Sequence, residues 1–140
     1  MTSGKKRVKV VVDTNVIVSA LMNTNGIPAK ILSLILGGKI KILFDNRIIF
    51  EYKDVLSRKE FGFPGEITDD LIDFFRRDGE FVNADYEKIK FPDESDKKFY
   101  EVYKFGEAQY LITGNIKHFP NEEGIVLPKN FIQIIEKTKN

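Results

Sequence analysis

Val8-Lys9-Val10-Val11-Val12-Asp13-Thr14-Asn15 is the stretch from which the fold is read. Its valines barely alternate with polar residues. A near-continuous β-branched run of this kind suits a strand buried on both faces, as in a sheet sandwiched between helices. The run stops at an acid, and Asn15 to Met22 then reads as helix until Asn23 to Gly26 breaks it. Pro28 opens a second helix with apolar positions Ile31, Leu32, Ile35 and Leu36 at helical spacing, and Gly37-Gly38 closes it. Ile40 to Phe44 reads as a second strand.

The same alternation continues along the chain. Asn46 is expected to cap a third helix burying Ile48, Tyr52, Val55 and Leu56. Phe61 to Gly65 reads as loop, and Thr68 as the cap of a fourth helix carrying Leu71, Ile72, Phe74 and Phe75. A short strand is expected near Glu80 to Val82. Ser95 or Asp96 starts a fifth helix that Gly106 ends, Gln109 to Thr113 is another buried strand, Gly124 to Leu127 is an edge strand, and Pro128 opens the last helix. Strands alternating with helices imply an α/β fold, a three-layer α/β/α sandwich around a central, mainly parallel sheet. No repeat, low-complexity tract or linker interrupts the chain, so residues 1–140 read as a single domain.

Composition narrows the chemistry. With no cysteine and one histidine, His118, thiolate and multi-histidine metal sites are excluded, and any metal must be held by oxygen ligands, which favours Mg²⁺ or Mn²⁺. The formal net charge is +1, from 22 basic and 21 acidic residues, a balance that neither demands nor excludes a nucleic-acid partner. The apolar run behind the basic N-terminus is too short for a signal peptide or a membrane span, so a cytoplasmic protein is expected.

In parallel sheets ligands bind outside the carboxyl ends of the strands. Asp13 and Asn115 follow buried strands and should reach that edge. Asp13 reads either as a cap of the following helix or as a ligand. Glu51 borders the buried stripe of its helix; its head either reaches water, pairs with a nearby Lys or Arg, or sits near a cation. Asp96 shares the inward face of its helix with Phe99, Tyr100 and Tyr103, and it is either part of an ordinary acidic first turn with Asp93 and Glu94 or an anion held near a cation. Several acids converging on one strand edge repel each other unless a metal ion neutralises them, and phosphoryl-ester hydrolysis is a natural chemistry for such a cluster.

These residues, taken together, resemble the PIN-domain family. Val10-Val11-Val12-Asp13-Thr14-Asn15-Val16 looks like its opening strand and Asp-Thr-Asn turn, and Phe50-Glu51-Tyr52 like its second acidic motif. The stretch from Phe91 to Phe99 is similar to the acidic turn opening its third-motif helix, and Tyr110-Leu111-Ile112-Thr113-Gly114-Asn115 to its fourth. Within that family the chain resembles VapC-like toxins of toxin–antitoxin systems. The resemblance implies a Mg²⁺- or Mn²⁺-dependent ribonuclease acting on RNA, paired with a small antitoxin protein, with a homodimer as its expected assembly and no membrane. It implies Asp13, Glu51 and Asp96 as catalytic acids, the same three with Asp93 and Asn115 around the metal, and Thr14, Asn15 and Thr113 in support. Asn115 stands where many members carry a fourth aspartate; an amide oxygen can bind a hard cation but brings no charge.

Two other readings compete. One is a catalytically inactive module that keeps the fold to bind RNA or a protein. The other is a phosphatase with Asp13 as nucleophile, which would usually carry a second aspartate where Asn15 stands. No G-x-G-x-x-G or Walker motif points to a nucleotide cofactor. The basic pairs Arg58-Lys59, Arg76-Arg77, Lys97-Lys98 and Lys117-His118 read by default as solvated surface, and Phe61 and Phe63 as a partner contact or as packing under their loop.

Overall fold

The computed structural model describes residues 7–83 and 94–138. Among them, five strands form one sheet: β1 (Val8–Val12), β2 (Ile40–Phe44), β3 (Glu80–Phe81), β4 (Tyr110–Ile112) and β5 (Ile125–Val126). The spatial order is β3-β2-β1-β4-β5 and every pairing is parallel. The helices are α1 (Thr14–Met22), α2 (Ile27–Leu36), α3 (Asn46–Leu56), α4 (Gly65–Asp78), α5 (Glu94–Phe105) and α6 (Pro128–Thr138). This is the expected α/β/α architecture, with its sheet wholly rather than mainly parallel.

Val10, Val11 and Val12 are completely buried, so β1 is the covered centre of the sheet. From β1 the chain steps outward through β2 to β3, then crosses back along α5 to β4 on the other side of β1. That reversal makes the gap between the carboxyl ends of β1 and β4 the topological switch point, where an open parallel sheet leaves a crevice. Val12 pairs with Ile112 in the parallel register, which sets Asp13 beside Thr113. Helix α5 packs across β1, β2 and β4, and α2 and α6 pack on one another.

Several local expectations needed correction. Asp45, not Asn46, caps α3: its carboxylate accepts a hydrogen bond from the Ile48 amide at 3.0 Å. An ionised oxygen is the stronger acceptor for a free N–H at a helix start. Helix α4 begins at Gly65, and Thr68 lies inside its first turn with its hydroxyl donating to the Gly65 carbonyl at 3.0 Å. Leu36 is 45% exposed and is not core. Val55 and Phe74 are only partly buried, and Phe61 and Phe63 stack on each other at 5.6 Å and pack against the core. A turn of 3-10 helix, Ile116–His118, follows β4.

The close approach of α4 to the sheet depends on Gly79. A Cβ there would sit 2.5 Å from the Ile42 carbonyl oxygen and 2.6 Å from that of Phe75, and both are fixed backbone atoms. Gly79→Ala is therefore expected to lower unfolding stability by about 1–3 kcal/mol, the usual cost of forcing a methyl group into filled space. Chemical denaturation measures this, and a loss below about 0.5 kcal/mol would show that α4 shifts freely instead.

Candidate active site

Asp13 occupies the residue directly before α1, where a carboxylate ordinarily caps the helix. Its side chain makes no capping hydrogen bond. The residue is 5% exposed, and its Oδ2 accepts a 2.7 Å hydrogen bond from the Thr113 hydroxyl across the switch point. The Thr113 hydroxyl oxygen in turn accepts from the Asn115 amide at 3.0 Å. The chain of backbone and hydroxyl donors fixes the orientation of one buried carboxylate. Burial pushes the Asp13 pKa above the ordinary carboxylate value; the Thr113 hydrogen bond pulls it down, the Asp96 and Glu51 charges push it up, and the Thr14 amide pulls it down again, with the net effect upward.

Glu51 reaches this region from α3. The adjacent Tyr52 is completely buried and donates a 2.5 Å hydrogen bond to the carbonyl of Val12, tying α3 to the end of β1. Glu51 then accepts from the Thr14 hydroxyl through Oε2 and forms an ion pair with Lys98 through Oε1 at 2.7 Å. Both of its oxygens are therefore engaged. Asp96 comes from the first turn of α5; its Oδ2 lies 3.1 Å from Nδ1 of His118, in the 3-10 turn after β4. Asp96 and Glu51 thus each bear on Asp13 by charge at the carboxyl edge of the sheet.

One ion pair of Arg47 joins the helices that carry these acids, and a second is local to the start of α3. Arg47, at the start of α3, bonds Asp45 through Nε at 2.7 Å and Glu101 of α5 through Nη1 at 2.7 Å. Glu101 is 1% exposed. Burial works to lower the Arg47 pKa, but the bonds to Glu101 and Asp45 outweigh it and raise it, so the guanidinium stays charged.

Of the remaining expected residues, Thr14 and Thr113 are buried at the site, whereas Asn15 and the side chain of Asn115 are exposed. Asn115 contributes its backbone amide. Asp93 lies outside the described residues. Sequence reasoning missed three partners. Lys98 and His118 read as surface residues because their partners lie on other elements. Glu101 sits in Phe99-Tyr100-Glu101-Val102-Tyr103, and an acid surrounded by apolar residues on every side of its helix is a legible sign of a buried, paired charge.

The donor chemistry suits a hard divalent ion: carboxylates and hydroxyls at one edge, and mutual repulsion that a cation relieves. Among the described residues, however, no three acidic or histidine side chains are gathered closely enough to enclose an ion. Glu51 is turned to Lys98 instead.

A PIN-domain family model matches residues 9–117. The chain is 32% identical to the uncharacterized protein MJ1680 of Methanocaldococcus jannaschii over 154 aligned positions, covering 95% of each chain. An α/β fold with a buried aspartate at its switch point thus has its class: the chain belongs to the PIN-domain family. PIN domains are generally nucleases, and they usually employ divalent metal ions. No helix among the described residues is long and apolar enough to cross a membrane.

Burial of Asp13 has a consequence for stability. Its folded pKa lies above the unfolded one, so folding disfavours the ionised form. The penalty is present where the carboxyl is ionised in both states and fades as pH falls through the folded pKa. Asp13→Asn keeps an oxygen acceptor for Thr113 and removes the charge. In EDTA at neutral pH it is expected to raise the melting temperature by about 3 °C or more, with the gap closing toward the ordinary aspartate range. Calorimetry across pH checks this; a variant less stable than the parent at neutral pH contradicts it.

Proposed function

We propose that the chain is a divalent-metal-dependent endoribonuclease and the toxin component of a toxin–antitoxin pair, working in the cytoplasm. The observation that carries the catalytic part is the environment of Asp13, a buried carboxylate burdened by the charges of Asp96 and Glu51. Such a cluster suits a hard cation, and Asp13 and Asp96, with Glu51 nearby, are the residues that would hold it. Asn115 and Asp93 complete the expected set. When bound, Mg²⁺ or Mn²⁺ lowers the pKa of water and draws off charge that builds on a phosphate.

The chain's own groups would do the rest. Thr113 fixes the direction of the Asp13 carboxylate, His118 holds Asp96, and Thr14 holds Glu51, so the acids are oriented before substrate arrives. In the hydrolysis, a water oxygen bonds to phosphorus, one P–O bond to ribose breaks, and the departing oxygen takes up a proton. The motif resemblance to VapC-like toxins is what supports RNA as substrate, a small antitoxin as partner and a homodimer.

A second reading, a catalytically inactive module that binds RNA or a protein, is favoured by the engagement of Glu51 with Lys98. Incubating the purified chain with single-stranded RNA separates the two. Cleavage is expected with Mn²⁺, is expected to stop in excess EDTA, and is expected to fall at least about 100-fold in Asp13→Asn. Equal cleavage in EDTA removes the metal mechanism, and no cleavage with any divalent ion leaves the binding module.

A further inference from the structure

The pair between Lys98 and Glu51 joins α5 to α3 in the middle of the acidic site. The lysine head is poorly exposed: 13% of its side chain is open to solvent, against 26% for Glu51. Its Nζ also donates to the Ser95 carbonyl within α5 and lies 5.1 Å from the centre of the Phe99 ring. An ammonium with a carboxylate, a carbonyl and a ring face around it is held rather than waving in solvent. It meets Glu51 at Oε1, while Thr14 takes Oε2. A cation bound to a carboxylate of a metal site uses the same lone pairs that the metal would use.

We propose that Lys98 is a resident counter-cation that competes with the divalent ion for Glu51. With the lysine in place, Asp13 and Asp96 are left to bind the ion, and Glu51 joins them only when the ammonium gives way. The lysine thereby weakens ion affinity while reducing the repulsion among the acids before the ion is bound. This rests on the metal-dependent reading of the site, but it concerns binding and not turnover.

The experiment is Mn²⁺ titration by calorimetry of the parent, Lys98→Met, Lys98→Arg, Glu51→Gln and the Lys98→Met/Glu51→Gln double variant, with folding checked by circular dichroism. Methionine keeps the packed stem; Lys98→Gln serves if it fails to fold. Lys98→Met is expected to bind Mn²⁺ at least about tenfold more tightly than the parent, and Lys98→Arg within about twofold of it. In the Glu51→Gln background the gain from Lys98→Met should shrink below about twofold, because the contested carboxylate is gone. A gain of equal size in that background shows that Lys98 acts at a distance and overturns the proposal. Unchanged affinity in Lys98→Met also overturns it, while leaving the metal reading intact. Binding by Lys98→Met alone supports the competition and removes the metal reading from the parent. No binding by any variant overturns both.

Discussion

The structure depends on the burial of β1 through to its last residue. A strand covered on both faces delivers whatever follows it into a nearly dry place, and here that is a carboxylate. An ionised group with 5% exposure is tolerated only if its surroundings answer its charge. Thr113 supplies the direct donor, and the parallel register of β1 and β4 puts it opposite. The same edge receives Glu51 and Asp96, which add repulsion. The site is therefore electrostatically loaded by the topology itself, a condition that suits a group required to meet a cation.

Repulsion of this kind would pry α3 and α5 apart if nothing bound them. The Arg47 link to Asp45 and Glu101 is placed where it resists this, at the beginning of α3 and one turn beyond Asp96 on α5. Replacing a buried pair of this type by apolar residues is often harmless to stability, whereas removing one partner alone is costly. Its worth here lies in geometry: it joins the start of α3 to α5, the two helices that carry Glu51 and Asp96. Tyr52 works to the same end by bonding the last carbonyl of β1. Two helices approaching from different crossovers are thus tied to one another by Arg47 and Glu101, and α3 to the strand end by Tyr52.

What could be seen in the sequence was the part governed by local pattern. The valine run ended where the strand ends, the glycine and proline positions bounded α2 and α6, and the inward stripe of α5 fell on Phe99, Tyr100 and Tyr103. Helix starts were less legible, since Asp45 competed with Asn46 for the cap of α3, and α4 begins at Gly65, ahead of Thr68. At the site, the strand-end position of Asp13 and the inward bias of Asp96 could be read from periodicity. The partners could not. Lys98 meets Glu51 across two helices that are separated by α4 and β3, and His118 meets Asp96 through a turn that no pattern announced. Periodicity places a residue on a face; it carries no information about which side chain stands across from that face.

Asn115 illustrates the same limit from the other side. By motif it belongs beside the acids, yet its contribution in the described structure is an amide N–H to the Thr113 hydroxyl. A backbone donor is available from any residue but proline, so this contact does not require asparagine. What asparagine changes is charge. An aspartate here would add a further negative group to an edge where Asp13 is already pushed toward protonation by burial and two neighbouring carboxylates. With a neutral residue at that position, the positive charge of Lys98 covers a larger share of the negative charge that remains. The neutral residue and the resident lysine therefore act in the same direction: both reduce the charge that an incoming ion would find.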